Sequence, residues 1–325
     1  MAKKVDKNLL VITPIKHIPG VYEMLSNKFN IFYYPDFHIN DFDKISNKSF
    51  YAIYTNPNKS KTRIDSSLID KIPSLRYVVT ASTGTNHIDK EYLKGKGIKI
   101  ISLTKDLKTI KTISSTAEHS FALTLMALRN IDQASSSVIK NEWDYLPYVG
   151  RQMNKLNVLV VGYGRLGKMY YKYAKAFGAS IDVVDPFLEK KLIFKNINFV
   201  SLKEGVKNAD VISLHVHHTD ETENLINTNL LKLCKKNVLI VNTSRGEIVN
   251  ENDIINFLKN NKQSKYYTDV IADEIVSKNK SIILKQNKLL DNLFITPHIG
   301  GMTIDAQEIA FGRVANKLIR TLDNG

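Results

Sequence analysis

The stretch Val158-Leu-Val-Val-Gly162-Tyr-Gly164-Arg165-Leu166-Gly167 decides how the chain folds. An apolar run leads into three glycines with the spacing G-x-G-x-x-G, and a helical pattern follows over residues 168–177. In a strand–turn–helix unit the first glycine permits the tight turn and the second lets a pyrophosphate approach the backbone. The third lets the helix pack against the strand. The stretch therefore predicts a Rossmann unit with a helix N-terminus that faces phosphates.

The next predicted strand, Ile181–Asp185, ends in an acidic residue, Asp185, which lies 23 residues after Gly162. A carboxylate at this place accepts hydrogen bonds from ribose hydroxyls and repels a 2′-phosphate. We therefore predict NAD, rather than NADP, as the cofactor. The alternative is a glycine-rich turn in an α/β domain that binds no nucleotide.

Strand-like and helix-like segments alternate outward from this stretch, which is typical of βαβ units and parallel sheets. A helix with few charges begins at Ser114 or Ser115, where Ser115-Thr-Ala-Glu118 has capping-box spacing. An amphipathic helix, Ile304–Leu322, closes the chain. The further predicted strands are Leu9–Thr13, Ile31–Tyr34, Tyr51–Tyr54, Tyr77–Ala81, Ile98–Ile101, Val211–His215, Val238–Asn242 and Phe294–Pro297. We predict the α/β class, with two doubly wound parallel-sheet domains and a hinge near Leu103–Ser114.

Composition and charge narrow the classes of function. The chain has 325 residues, of which 43% are hydrophobic and 24% charged, as in globular proteins. Its apolar runs are strand-sized, far short of the ~20 residues of a membrane span. The charged start, Met1–Asn8, has no apolar signal core, so we expect a cytoplasmic protein without membrane contact. The single cysteine, Cys234, permits no intrachain disulfide.

The formal net charge of +14 suggests a nucleic-acid partner at first sight. However, the lysines are spread along the whole chain, and the densest clusters are short: Lys59–Arg63, Lys190–Lys191 and Lys235–Lys236. We therefore predict a solvated basic surface that attracts an anionic small-molecule substrate, and no nucleic acid.

Four motifs occur along the chain: Ser82-Thr-Gly-Thr-Asn-His-Ile-Asp89, Gly162 through Asp185-Pro186, Val241-Asn-Thr-Ser-Arg245-Gly246 and Thr296-Pro-His298-Ile-Gly-Gly301. Their order and their spacing are as informative as the motifs themselves. In this combination the chain resembles the D-isomer-specific 2-hydroxyacid dehydrogenase family. Gly84-Thr85-Asn86 is similar to the phosphoglycerate dehydrogenase branch, although we expect no regulatory domain after Gly325. The resemblance implies a Rossmann NAD-binding domain, residues 113–298, inserted into a flavodoxin-like substrate domain formed by residues 1–112 and 299–325.

The resemblance also implies an activity, the transfer of a hydride between NAD(H) and C2 of a small D-2-hydroxy or 2-oxo acid. Arg245 would hold the substrate carboxylate and polarise the C2 carbonyl, because a guanidinium binds oxygens with a fork of donors. His298 would be the acid/base for the developing alkoxide. Glu274 would orient His298 and favour its protonated form. Ile275 replaces the proline common after that glutamate, so Asp273 remains an alternative partner.

Further contacts follow from the same resemblance. The backbone amides of Ser82, Thr83 and Gly84 would hold the substrate carboxylate. Residues expected to contact the cofactor are Gly162, Gly164, Arg165, Leu166, Gly167, Asp185, His215, Thr243 and Asp269. His215, His217 and His218 look like a metal cluster, but they share one short loop without a distant ligand, so we predict no metal. The apolar helix from Ser115 and the segment up to Trp143 predict a homodimer. An NAD(H)-sensing binding protein of the same fold is the alternative function.

Overall fold

The computed structural model describes residues 6–57, 62–188, 196–274 and 281–323. Contacts divide the chain into two compact units. We call residues 1–113 with 301–325 the terminal unit, and residues 114–300 the central unit.

The terminal unit contains a five-stranded parallel sheet. Its strands are β1 (Asn8–Val11), β2 (Asn30–Tyr33), β3 (Ala52–Thr55), β4 (Tyr77–Thr80) and β5 (Lys99–Ile101). The spatial order β2-β1-β3-β4-β5 is the flavodoxin-like doubly wound order. Its helices are α1 (Val21–Ser26), α2 (Ser66–Ile69), α3 (Lys90–Gly95), α4 (Leu107–Ile110) and, from the end of the chain, α12 (Ile304–Asp323).

Helices cover both faces of this sheet, so its strands are apolar runs rather than alternating patterns. Leu9, Leu10 and Val11 are all fully buried, although neighbouring side chains point to opposite faces. One apolar layer packs against α1 and α12, and the other packs against α2 and α3. Asp106 caps α4 and forms ion pairs with Arg313 and Lys317 of α12, which fastens the last helix to this unit.

The central unit contains a seven-stranded parallel sheet in the order β12-β11-β10-β9-β6-β7-β8. The strands are β6 (Asn157–Val161), β7 (Ser180–Val184), β8 (Asn198–Phe199), β9 (Val211–Leu214), β10 (Leu239–Asn242), β11 (Lys265–Thr268) and β12 (Leu293–Ile295). The helices are α5 (Ser115–Leu128), α6 (Ile131–Ile139), α7 (Arg165–Ala176), α8 (Leu202–Asn208), α9 (Thr228–Leu231), α10 (Glu251–Asn260) and α11 (Ile282–Gln286). The strand order reverses between β6 and β9, and ligands of such sheets bind at the carboxyl ends of the strands beside this point.

The predicted fold class, two doubly wound parallel-sheet domains, is confirmed. Two strands were not predicted. β8 has only two residues, too few to show a pattern. β11 begins with Lys265, whose ammonium donates to the carbonyl of Ala127, and the rest of the strand is two buried tyrosines and a threonine. A short strand that buries polar groups lacks the apolar run by which strands are recognised.

Candidate active site

The glycine-rich turn between β6 and α7 has the geometry of a dinucleotide site. Gly162 has a left-handed φ of 93°, and a Cβ there would stand 2.7 Å from the carbonyl oxygen of His215. A Cβ at Gly167 would overlap the carbonyl oxygen of Gly162, so this glycine lets α7 lie against the turn. A Cβ at Gly164 would meet no described atom within 4 Å. The N-terminus of α7 therefore has open space for a phosphate group.

Asp185 follows β7 directly, as predicted. Its Oδ2 accepts the amide of Tyr163 inside the glycine-rich turn at 2.9 Å, and Oδ1 accepts the amides of Phe187 and Leu188 at 3.1 Å each. A carboxylate offers about four acceptor positions, and three are used here. The residue thus holds the turn and keeps acceptor capacity for a ribose hydroxyl.

Other residues expected to contact the cofactor lie at the ends of neighbouring strands or at the start of α7. Arg165 and Leu166 form the first turn of α7 and are half-buried, and burial lowers the pKa of Arg165. His215 follows β9 and contacts Ser213 Oγ through Nε2 at 2.9 Å, while burial lowers its pKa to about 3. Thr243 follows β10, and its buried hydroxyl forms no hydrogen bond within the described part of the chain. An unsatisfied buried hydroxyl at this edge suits a bound cofactor.

Arg245 stands in a turn that is organised by Asn242 at the end of β10. The Asn242 side chain accepts the amide of Ser244 at 3.0 Å and donates to the carbonyl of Arg245 at 2.8 Å. Burial lowers the pKa of the Arg245 guanidinium, and the nearby charges of Glu274 and Glu247 oppose that shift. Arg245 is thus a desolvated cation close to Glu274, a good place for an anionic substrate group.

His298 follows β12 and contacts Glu274. Its Nδ1 lies 2.8 Å from both carboxylate oxygens of Glu274, and the two side chains are 22% and 27% exposed. The φ of His298 is 57°, in the left-handed region that non-glycine residues rarely adopt. A carboxylate in such a pair keeps a proton on Nδ1 and fixes the orientation of the imidazole.

The loop that carries Glu274 packs on the residues next to Arg245. Ala272 donates its amide to Glu251 at 2.9 Å, and Asp273 donates its amide to Glu247 at 3.3 Å. Of the two adjacent acidic residues, Glu274 is the one that contacts His298. Ile275, the unusual residue after it, lies outside the described residues.

Asp269 has a structural contact set that the sequence did not reveal. It is 1% exposed, and it accepts the Thr296 hydroxyl and the Ile299 amide on Oδ1 and the Gly300 amide on Oδ2. All three donors flank His298. The contacts of Asn242 and Glu251 were not predicted either, although Asn242 lies inside the motif Val241-Asn-Thr-Ser-Arg245-Gly246.

The three residues expected to hold the substrate carboxylate lie in the terminal unit, just after β4. Gly84 donates its amide to Ser82 Oγ at 3.0 Å, and the carbonyl of Thr83 accepts the Thr104 hydroxyl at 2.8 Å. Ser82 and Gly84 are half-buried and Thr83 is exposed. The amide of Gly84 is thus engaged inside this short turn.

Two further observations concern ligands and membranes. Across the described ranges, no three His, Cys, Asp or Glu side chains are grouped as metal ligands would be. His218, in the segment that follows β9, lies 3.9 Å from a carboxylate oxygen of Glu223. Within those same ranges no helix combines the length and hydropathy needed to cross a bilayer.

The fold and the site together define an α/β protein with an NAD-binding Rossmann domain. More particularly, the chain belongs to the D-isomer specific 2-hydroxyacid dehydrogenase family, because the model of that family's NAD-binding domain matches residues 121–300. The match identifies NAD as the cofactor, and the turn geometry fits a dinucleotide.

Individual relatives agree with this family. The chain is 34% identical to D-3-phosphoglycerate dehydrogenase of Methanocaldococcus jannaschii over 266 residues, which are 81% of this chain and 49% of that protein. For the Bacillus subtilis protein of the same name the values are 32% over 265 residues, 81% and 48%. The chain thus spans about half the length of these curated relatives.

Solved structures show the same fold over nearly the whole chain. D-lactate dehydrogenase from Aquifex aeolicus, complexed with NAD and lactic acid, superposes with a TM-score of 0.74 at 27% identity and covers 98% of this chain and 94% of its own. The pyruvate reductase of Chlamydomonas reinhardtii has a TM-score of 0.82 at 18% identity, with coverages of 100% and 98%, which supports the fold alone.

Proposed function

We propose that the chain is an NAD(H)-dependent oxidoreductase that interconverts a small 2-hydroxy acid and the corresponding 2-oxo acid. The observation that carries this proposal is the His298–Glu274 pair at 2.8 Å beside the half-buried cation Arg245. All three residues belong to the unit that carries the glycine-rich turn. A proton donor and an anion-binding group at one sheet edge are what the reduction of a 2-oxo acid requires.

The three side chains have distinct tasks. Arg245 binds the substrate carboxylate and polarises the C2 carbonyl through its donor fork. His298 delivers a proton from Nε2 to the carbonyl oxygen during reduction and takes it back during oxidation. Glu274 fixes the tautomer through Nδ1 and stabilises the imidazolium. Bound NAD(H) supplies or accepts the hydride at C2.

The substrate class follows from this chemistry and from the relatives. A cationic anchor with one proton donor fits a small acid with oxygen on C2, and the positive net charge of +14 attracts anions. Relatives are named for 3-phosphoglycerate, and a structural neighbour was solved with lactic acid. We propose a short D-2-hydroxy acid of this kind, with or without a phosphate group.

The decisive experiment measures NADH oxidation with a panel of 2-oxo acids that includes glyoxylate, pyruvate and hydroxypyruvate, with NADPH as the cofactor control. His298→Ala should retain NADH binding and lose about 10²–10⁴-fold in turnover. NADH binding without reduction of any acid by the unmodified protein would favour the alternative, an NAD(H)-sensing binding protein. Unchanged turnover in His298→Ala would remove His298 from the mechanism.

We also propose a homodimer, formed through the segment after α5. α5 itself is largely buried inside the central unit, with Ala117, Phe121 and Leu123 in its core. The exposed apolar surface lies further on, where Ile139 is 81% and Trp143 is 91% exposed. A patch of this kind is typical of an interface. Light scattering should give twice the chain mass, and Trp143→Glu should give a monomer; a monomeric mass for the unmodified protein would contradict the proposal.

A further inference from the structure

The central unit contains a second histidine–carboxylate pair next to the first. His119 lies on α5, and its Nε2 is 3.1 Å from Thr296 Oγ1 and 3.3 Å from Asp269 Oδ1. The His119 side chain is 18% exposed and that of Asp269 is 1% exposed. These contacts bring α5 to the loop of residues 296–300, which we call the histidine loop because it carries His298.

The hydrogen bonds determine what His119 does. The Thr296 hydroxyl donates its only hydrogen to Asp269 Oδ1. Both oxygens near His119 Nε2 therefore act as acceptors toward it, so Nε2 carries a hydrogen and donates. A glutamine amide could supply a hydrogen from nearly the same place, whereas the shorter asparagine could not.

Asp269 holds the histidine loop in place by accepting its hydrogen bonds. Burial raises the pKa of this carboxyl, but hydrogen bonds from His119, Thr296 and the amides of Ile299 and Gly300 outweigh burial, so the pKa lies below its usual range. The carboxylate thus remains ionised with donors on both oxygens. Without His119 this buried anion would lose one donor, and the Thr296 hydroxyl would lose its fixed orientation.

The hydrogen bonds to Asp269 constrain His298 because the donor residues lie on both sides of His298 in the chain. Thr296 precedes His298 by two positions, and Ile299 and Gly300 follow it directly. A left-handed φ of 57° at a histidine persists only when the surrounding structure imposes it. The same contacts therefore set the direction of the imidazole and its approach to Glu274.

We propose that His119 is a positioning residue for His298: by donating Nε2–H to Thr296 and Asp269 it orders the histidine loop and aligns the imidazole with Glu274. The inference rests on the proposed function, since His298 matters there as the acid/base. His119 itself contacts neither the reacting atoms nor the cofactor in this assignment.

Kinetics of 2-oxo acid reduction separate positioning from a merely stabilising contact. His119→Ala and His119→Asn should lower kcat by ~10- to 100-fold, because small displacements of a reacting group are this costly. The KM for NADH should change little. The alkaline limb of kcat/KM should move to lower pH, because Glu274, the acidic group facing His298, holds the imidazolium less well, while Arg245 beside Glu274 is unchanged. His119→Gln should restore most of the kcat. His17→Asn is the matched control, since His17 contacts Gln307 through Nε2 at 3.1 Å in an exposed pair of the terminal unit.

A second measurement needs no turnover. Proton NMR at low pH should show a low-field Nδ1–H resonance of His298 in its contact with Glu274, assigned by its loss in Glu274→Gln. His119→Asn should broaden or remove this resonance, and His119→Gln should retain it. Should the unmodified protein reduce no 2-oxo acid, the proposed function fails and the NMR comparison still decides the role of His119. An unchanged resonance in folded His119→Asn, or a lower thermal stability with unchanged kcat and pH profile, would overturn the inference.

Discussion

Gly246 is the point where the loop carrying Glu274 touches the residue after Arg245, and a single methyl group there should separate the two. A Cβ at Gly246 would overlap three backbone atoms, the carbonyl carbon and oxygen of Ile271 and the nitrogen of Ala272. Backbone atoms cannot rotate away as the end of a side chain can. Non-bonded carbon atoms rest about 3.5–4.0 Å apart, so the loop must retreat by more than about 1 Å.

This displacement sets the size of the expected effect. Glu274 lies two residues beyond Ala272, so its carboxylate would leave the 2.8 Å contact with His298. A misplacement of about 1 Å costs about 10²-fold in rate, which corresponds to about 2.7 kcal/mol of transition-state stabilisation. We expect Gly246→Ala to lower kcat/KM for 2-oxo acid reduction by that factor and to move its alkaline limb to lower pH. NADH binding should remain nearly unchanged.

The control is the same substitution at Gly312 in α12, where a Cβ would meet no described atom within 4 Å. Gly312→Ala should leave kcat/KM unchanged and add about 0.5–1 kcal/mol of stability, the usual gain inside a helix. Normal kcat/KM in folded Gly246→Ala would refute the inference that the contact between Gly246 and the loop positions Glu274. A raised KM for the acid with an unmoved pH limb would show that Arg245, rather than Glu274, had been displaced.

Three further predictions concern the cofactor preference, two buried asparagines and His215. Asp185→Ala should weaken NADH binding and narrow the preference over NADPH, since a ribose acceptor and a repelling charge are both lost; preference of the unmodified protein for NADPH would contradict this. Asn242→Asp and Asn292→Asp each remove a buried Nδ2 donor to backbone carbonyls and should each destabilise by ~1–3 kcal/mol in urea unfolding, but only Asn242→Asp should raise the KM for the acid. The pKa of His215 lies at about 3 in the fold against 6.5 for a free imidazole, so the unfolded chain binds more protons and stability falls as the pH drops from 6.5 towards 3. This loss amounts to up to about 2 kcal/mol at about pH 5, and His215→Gln should remove it; an equally steep loss in that variant would exclude His215 as the cause.

Local patterns in the sequence predicted the parts of the structure that depend on neighbouring residues. The strand before Gly162, the helix after Gly164 and the acidic residue Asp185 could each be recognised from a short stretch of sequence. None of these predictions needed information about distant residues. The orders of both sheets agree with the doubly wound class expected from alternating elements.

Contacts between distant residues were not predictable in this way. His119 and Asp269 are far apart in sequence. No rule of sequence spacing relates a residue on α5 to the residue that follows β11. Asp269 was expected to face the cofactor, and the hydrogen bonds that its oxygens accept from the histidine loop were not part of that prediction. Hydrogen bonds of this kind depend on how β11, β12 and α5 pack together, which a linear pattern does not contain.

The split composition of the terminal unit has a consequence for biosynthesis. α12 packs against α1 and β4, and the hydroxyl of Tyr54 donates to the carbonyl of Phe311 at 2.7 Å. The ribosome therefore synthesises the whole central unit before it synthesises α12, the helix that covers one face of the five-stranded sheet. Domains fold as units during synthesis, so the central unit should fold while α12 is still unsynthesised. At that stage the apolar face around Val21 and Leu25 is not yet covered by α12. During that interval the nascent chain exposes an apolar surface of the kind that chaperones bind.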